Sequence, residues 1–570
     1  MNVLGVSALF HDAAAALAVD GRIVAAVQEE RLSRKKNDAS LPFAAARACL
    51  EIAGLEPRQL HWVGYYEDPF ARATRAVTSC FRNFPRAAAQ FPQVMSGLPR
   101  TVFAPLRLAE GLGVPSERVV TGDHHRSHAA AAYFASSLPA AAVLIADGVG
   151  ERASTTLWHA RGAELTLLRS TSFPHSLGLF YAAVTAWLGF AVNEGEYKVM
   201  GLAGFGTPKH AERLRRWVRV HDGHVELDTR AFAYETETRW GYSQHFLDAF
   251  GPARTPGAAW DLEGDARDRA YADVACSAQL VLEESLLALA RTALEITGEG
   301  ALVLGGGVAL NAKAIGFLHD ANIAKYIYVP PGAGDAGSAL GAAWLTGLAH
   351  GVTPVALDSP FLGPVPDPAR AQALAAAMGW IEIPGAVATL SAEAIARDEI
   401  VCVARGAMEL GPRALGHRSL LAAPGPASVR EHLNRVVKQR EPFRPFAPVV
   451  RARDVPRFFE GEANLCTPLM TTVLRVKHPD DPALAAVVHV DGTARVQSVE
   501  RGFLCDVLDA LERHGALPVL LNTSLNGNGE PICAGPEDAA AFFDAHAVDL
   551  LVLGRRAYRK PRKDVDATRT

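Results

Sequence analysis

Ala142-Val143-Leu144-Ile145-Ala146-Asp147-Gly148-Val149-Gly150 is an apolar run that ends in an aspartate and two glycines. A short apolar run bounded by turn residues reads as a buried strand followed by a tight link. Ser154 to His159 supplies a second strand, Arg161-Gly162 a turn, and Glu164 to Leu168 a third strand. The same plan stands at the start of the chain. Val3 to Ala8 is apolar, Leu9-Phe10-His11-Asp12 is a link, and Ala13 to Val19 is apolar again. Asp20-Gly21 then makes a hairpin turn into Ile23 to Val27. Each copy places a polar loop between its first two strands. Two such units facing one another predict a two-lobed cleft with two loops aimed at a shared ligand.

Just upstream of the second copy lies Asp123-His124-His125-Arg126-Ser127-His128. On a helix, His124 and His128 share one face, a turn apart. Two imidazoles and the strand-end Asp147 are donors suited to a first-row divalent ion. Downstream, Ala301 to Leu304 is a strand, and Gly305-Gly306-Gly307-Val308-Ala309-Leu310-Asn311 opens a helix. That arrangement offers free N–H groups to an anion or adenine nucleotide. Asp335 precedes a small-residue helix, and its position favours a helix cap over a metal ligand.

Between these lie segments with less chemistry. Residues 43–53, 70–112 and 267–297 carry helical patterns. Lys198 follows a glycine-rich stretch and suits a phosphate; residues 207–262 read as an aromatic-bearing insertion with room for an acceptor pocket. Residues 353–368 hold five prolines without periodicity and read as a linker. Beyond it, Gly411-Pro412-Arg413 and Arg444-Pro445-Phe446 fix arginines on stiff backbone, as phosphate binding requires. Arg430, Arg435 and Arg440 read as solvated helix arginines, and residues 521–531 as a polar loop after a strand at 518–521.

With 570 residues, the chain is long enough for more than one domain. A net charge of −4 gives no reason to expect nucleic acid or a membrane as partner. Seven scattered cysteines, no CxxC and no signal-peptide pattern suggest a reducing cytoplasm.

Ten motifs in order then give the chain a likeness. They are FHDAAAAL (10–17), EERLSRKK (29–36), HHRSH (124–128), ADGVGE (146–151), YKVMGLAGFG (197–206), GGGVALN (305–311), GDAGSALGAA (334–343), GPRALGHRSLL (411–421), REPFRPFAP (440–448) and LNTSLNGNGEP (521–531). In these the chain resembles the O-carbamoyltransferases of antibiotic and nodulation-factor tailoring. The resemblance implies an α/β protein. A duplicated actin-like (ASKHA) N-terminal domain would span residues 1–352, a linker 353–368, and a YrdC-like α/β domain 369–570. It implies that carbamoyl phosphate and ATP, with Mg²⁺, give carbamoyl adenylate in the C-terminal domain. The N-terminal domain would then pass the carbamoyl group to a hydroxyl of a natural-product acceptor. A homodimer is compatible with it.

Carried over from the family, the ligands of Fe²⁺ or another divalent first-row ion fall on His124, His128, Asp147 and Asp335. His11 matches the catalytic histidine. Lys36, Gly306, Gly307, Asn311, Arg413, Arg444, Arg495 and Asn526 match residues that contact substrate or nucleotide. Ala14 stands where relatives often have serine, and the Leu9-Phe10 link is shorter and more apolar than in the aminoglycoside-modifying member. These departures point to a less polar acceptor, such as a macrolide or glycoside. The rival readings are an actin-like sugar kinase, which needs no adenylating domain, and a non-catalytic ATP-binding module, which leaves His11 and the histidine pair unexplained.

Overall fold

Asn2–Ser7 (β1), Ala14–Val19 (β2) and Arg22–Gln28 (β3) pair antiparallel in one meander, and nearly all of their side chains are buried. Asp20 and Gly21 both take positive φ in the β2–β3 turn, the geometry that matches a right-twisted hairpin. Trp62–Tyr65 (β4) and Val119–Thr121 (β5) extend the sheet in parallel beyond β1, giving the order β3-β2-β1-β4-β5. Ala140–Ala146 (β6), Ala153–Arg161 (β7) and Glu164–Ser172 (β8) repeat the meander. Ala301–Gly305 (β9) and Tyr326–Tyr328 (β10) repeat the parallel pair, in the order β10-β9-β6-β7-β8. The duplication legible in three strands therefore extends to five, with the same order and orientations. This computed structural model describes residues 1–236, 240–441 and 443–561, so Pro442 of the 440–448 motif lies outside the described residues.

Six helices matter below: Pro69–Arg82 (α1), Phe91–Val102 (α2), Ala104–Leu112 (α3), His124–Ala135 (α4), Glu196–Leu202 (α5) and Asp335–Ala349 (α6). α6 packs on β1 and β2, α4 packs on β6 and β9, and the two helices pack on each other. Their alanine- and glycine-rich faces allow this close approach. A Cβ on Gly341 would stand 1.8 Å from the Ser127 carbonyl oxygen of α4, and one on Gly5 would stand 1.9 Å from the Ala339 carbonyl oxygen of α6. Gly341→Ala must therefore push α4 and α6 apart. The expected cost is about 1–3 kcal/mol, read as a lowered urea midpoint, together with weaker metal uptake, because both helices carry candidate ligands.

The C-terminal part is an eight-stranded mixed sheet. Its strands are Ile381–Ile383 (β11), Val401–Ala404 (β12), Arg418–Ala422 (β13), Ala447–Arg451 (β14), Gln497–Val499 (β15), Leu520–Ser524 (β16), Leu550–Leu553 (β17) and Arg556–Arg559 (β18). They lie in the order β11-β18-β17-β12-β13-β16-β14-β15. The stretch expected as a polar loop is thus partly strand. Asn522 to Ser524 belong to β16, because their backbone pairs with β13, and Asn522 is buried against Gln497 and the Ala414 carbonyl.

Residues 353–367 are irregular apart from a bridge between Phe361 and Glu409, as their prolines predict, and Pro368 opens a helix, but the segment is not a free tether. Val355 N–H donates to Gly21 (2.9 Å), and the Leu362 carbonyl accepts from Ala26 (3.1 Å). Leu362, Leu410, Leu415 and Ala447 share a core cluster with Val3, Ala14 and Trp344. An apolar seam of this kind opposes independent motion of the parts it joins. Polar bonds reinforce it. Arg31 donates to the Gly411 carbonyl (2.6 Å), and Arg34 donates to the carbonyls of Ile532 (2.8 Å) and Pro531 (3.0 Å). Of the basic run 31–36, only Lys35 is exposed.

Candidate functional site

Four side chains converge where α4, β6 and α6 meet. Asp123 caps α4 by accepting from the Arg126 N–H (2.7 Å), which starts the helix at His124 and aligns the two imidazoles. His124 Nε2 and His128 Nε2 lie 3.1 Å apart. Asp147 Oδ2 is 3.1 Å from His124 Nε2, and Asp335 Oδ1 is 3.3 Å from His128 Nε2. One donor atom from each of the four falls within 4.8 Å of the others, and all four residues are buried. Two bonds of about 2.1 Å to a common ion span at most about 4.2 Å, so the donors would draw slightly together around one.

The buried polar atoms of the set fit an ion independently of these distances. Both carboxylate oxygens of Asp335 lack a hydrogen bond among the described residues. Leaving a buried carboxylate so is costly. Nor does Asp335 cap its helix: Gly334 holds that position, and no side chain bonds there. The cap expected from its place in the sequence is therefore replaced by a carboxylate aimed at two histidines. Two imidazole nitrogens and two carboxylate oxygens suit a first-row dication. Burial opposes charge on Asp147, yet its hydrogen bond with His124 and the nearby His128 hold it well below the usual carboxylate range.

Outer contacts fix this set. Gly307 N–H donates to Asp147 Oδ1 (2.9 Å), and Ser338 Oγ lies 3.1 Å from His128 Nδ1. Gly306 makes the first of these possible: its φ is +84°, and a Cβ there would stand 2.3 Å from the Ala146 carbonyl oxygen. Glu151 accepts from the backbone N–H groups of His124 (2.9 Å) and Asp68 (2.7 Å). Neither Ser338 nor Glu151 was singled out from the sequence; only proximity in the fold reveals them. His125 faces away, onto Thr156 (2.9 Å), and burial beside His124 pushes it down to about 3.

His11 sits on the β1–β2 loop, its Nε2 3.8 Å from Asp335 Oδ2 and its Nδ1 3.1 Å from Asp12. Burial disfavours its charge, but Asp335 and Asp12 outweigh burial and lift it to about 10. A dication bound beside Asp335 would cancel the first of these attractions and bring the imidazole back toward neutrality.

A second constellation lies on the C-terminal sheet. Lys36, Arg444 and Asn526 line a small cavity together with Lys438 and Arg440. Lys438 is buried and donates to the Ser524 carbonyl, the Asn526 carbonyl (2.9 Å) and Asn526 Oδ1 (2.9 Å). Burial, with Arg440 and Arg444 nearby, holds its ammonium well below the usual lysine range. Arg440, expected as a solvated helix arginine, lies beyond the helical turn and is half-buried. It donates to Asn434 Oδ1 (2.7 Å) and lies over the Phe446 ring. Crowded, half-desolvated cations form an anion site.

Next to it opens a cavity of about 540 Å³ that includes Arg444, Arg495, Phe205, Trp260 and Phe443 in its lining. Of the described residues of the 207–262 segment, only those from 260 on reach it; Trp217, Phe232 and Phe246 are core. The other carried-over residues lie apart from both cavities. Arg413 donates to the Leu310 carbonyl (2.9 Å) beside the Gly306 turn. Asn311 caps the following helix through the Ala314 N–H and exchanges two amide bonds with Gln279. Lys198 pairs with Glu441 (2.8 Å), and Tyr197 lies under Arg444. α5 therefore touches the cationic cavity.

The chain matches two family models: Carbamoyltransferase N-terminus over residues 2–344 and Carbamoyltransferase C-terminus over residues 392–560. It is 37% identical to uncharacterized protein sll1178 of Synechocystis sp., over 97% of this chain and 95% of that protein. It is 35% identical to nodulation protein NolNO of Sinorhizobium fredii, over 96% of this chain and 79% of the relative. Among solved structures, component A of the Acidaminococcus fermentans (R)-2-hydroxyglutaryl-CoA dehydratase overlays 60% of the chain at 14% identity, with a TM-score of 0.33.

Proposed function

Since the chain belongs to the carbamoyltransferase family, we propose that it is an ATP-dependent O-carbamoyltransferase working in two steps at two sites. In the first, carbamoyl phosphate gives up its phosphate to water, and an oxygen of the resulting carbamate attacks the α-phosphorus of ATP. Pyrophosphate leaves, and carbamoyl adenylate remains. In the second, an acceptor hydroxyl attacks the carbamoyl carbon, AMP leaves, and the hydroxyl proton passes to a base. The observation that carries this reading is the pair of separate constellations: a buried two-histidine, two-aspartate set, and a cationic cavity whose lining shares no residue with it.

In this reading the C-terminal part, a YrdC-like domain, forms the adenylate. Lys36, Lys438, Arg440, Arg444 and Asn526 hold phosphate groups, and Arg495 reaches the nucleotide in the larger cavity, with Mg²⁺ accompanying ATP. The actin-like N-terminal part, with its repeated sheets, transfers the carbamoyl group. His124, His128, Asp147 and Asp335 would hold a dication, Fe²⁺ being the family's ion. Such an ion would supply Lewis-acid polarisation. Gly307 keeps Asp147 oriented toward it, and Arg413 anchors the Gly306 turn. His11 Nε2 receives the acceptor's proton. The apolar seam between the parts keeps water from the reactive mixed anhydride.

The acceptor is proposed to be a hydroxyl of a weakly polar natural product, since Leu9 and Phe10 flank His11. Supplied with carbamoyl phosphate and ATP, the enzyme is expected to release AMP and pyrophosphate, and the modified acceptor to gain the mass of one CONH group. Release of ADP instead would make it a kinase and defeat the proposal.

A further inference from the structure

Residues 69–109 contain six arginines and no aspartate, glutamate or lysine, a local charge of +6 in a chain whose total is −4. They fold into α1, α2 and most of α3, with α1 and α2 packed side by side. α2 has no buried residue along its twelve positions. Large apolar side chains stand in the open here: Phe70 and Phe81 are 65% exposed, Phe84 72%, Phe103 50% and Leu106 55%. Phe81 and Phe91 touch at 5.9 Å between ring centroids, so the patch runs from one helix to the next. Arg82, Arg86, Arg100 and Arg107 are exposed among them, and none pairs with a carboxylate among the described residues. Clustered exposed phenylalanines mark an interaction surface rather than ordinary solvent-facing residues.

We propose that the α1–α2–α3 surface docks on an anionic lipid bilayer. An amphipathic helix pair with arginines beside phenylalanines is built to lie in the headgroup region. The absence of any acidic side chain from the segment supplies the charge complementarity, since each arginine near an anionic membrane adds to the attraction. No helix of the described residues is long and apolar enough to cross a membrane, so the association is superficial.

The same hairpin leads to the cleft. At its inner end, Arg72 bonds Glu67 (2.7 Å) and the Leu9 carbonyl (3.1 Å) and lies over the Phe10 ring, whose neighbour is His11. α1 has fourteen residues, so the bilayer-facing end stands about 20 Å from that inner end. A lipid-partitioned acceptor would thus meet the mouth of the cleft where the protein rests. This last step depends on the carbamoyl-transfer reading; the docking does not.

Co-sedimentation of the full chain with vesicles of 30% phosphatidylglycerol in phosphatidylcholine, against phosphatidylcholine alone, tests it. The expected result is binding to the anionic vesicles that weakens in high salt. Arg82→Glu with Arg86→Glu should lower the partition coefficient about thirtyfold or more, and Phe81→Glu with Phe84→Glu should abolish binding. Both double variants should keep the melting temperature and pyrophosphate release of the parent chain. Equal binding of parent and variants, no binding to anionic vesicles at low salt, or a dimer in sedimentation velocity that the phenylalanine changes dissociate would each overturn it. Failure of pyrophosphate release in the parent chain with vesicle binding intact would count against the carbamoyl-transfer reading alone.

Discussion

His128→Ala is expected to lower carbamoyl transfer by about 10³-fold or more while leaving pyrophosphate release from ATP and carbamoyl phosphate nearly intact. The imidazole is buried, 3.1 Å from His124 and 3.3 Å from Asp335, and has no other role on its Nε2 side. Its removal leaves three donors, and the polarisation they support is worth several kcal/mol, at 1.36 kcal/mol per tenfold in rate. Metal content per chain, measured by mass spectrometry after purification, should fall in parallel. Ser338→Ala, which loses only the bond to His128 Nδ1, should cost about 10–100-fold in metal affinity. Loss of both half-reactions in the His128 variant, with the fold intact by circular dichroism, would mean that the two chemistries share one site.

Lys438→Met is expected to do the reverse. It should lower pyrophosphate release by about 10²–10³-fold, the usual effect of removing one fixed charge from a developing anion, while the metal stays bound. A pure binding assay gives a second reading. Ligand at about 100 times its dissociation constant stabilises a protein by about 2.7 kcal/mol. Carbamoyl phosphate with ATP should therefore raise the parent's melting temperature and leave that of Lys438→Met almost unchanged. Because Lys438 also holds the Asn526 loop through two bonds of 2.9 Å, Arg444→Met serves as the check. It faces the same cavity without those bonds and should show the same partition between half-reactions. Normal pyrophosphate release from both variants would remove the cationic cavity from the mechanism.

On the proposed scheme the two half-reactions are separable because the constellations come from different elements. The buried set uses the first two turns of α4, the start of α6 and the residue after β6, whereas the cavity uses Lys36, Lys438, Arg440, Arg444 and the segment from Ser524 to Gly529. Their seam is nevertheless apolar and shared, through Leu362, Leu410 and Leu415. A change in that seam should therefore affect the passage between sites more than either site alone.

How far the sequence could be read differs from residue to residue. His124 and His128 were legible as a pair, because four residues on a helix always bring side chains to one face. Asp335 was not. A lone aspartate before a small-residue helix looks like a cap, and only the packing of α6 on α4, through Gly341, turns it toward the histidines. Arg440 looked solvated because a run of arginines on a helix usually is. It lies half-buried because it bonds Asn434 and covers the Phe446 ring, while Lys438 nearby ties into Ser524 at the end of β16. Asn522 looked like loop because polar residues favour loops, but tertiary pairing with β13 overrides that preference.

By itself, then, the sequence determined the repeated strand–loop–strand plan, the helix that bears the histidine pair and the family to which the motifs point. These follow from local periodicity, turn residues and short spacings, which act over a few residues and survive without the rest of the molecule. The tertiary structure supplies the distances that bring the four donors together and bury them, and it alone decided that Lys438 and Arg440 are drawn in beside Arg444 and that the 69–109 arginines surround exposed phenylalanines. Burial and convergence across long sequence separations depend on how whole layers pack, and no local pattern encodes where a second element will stand.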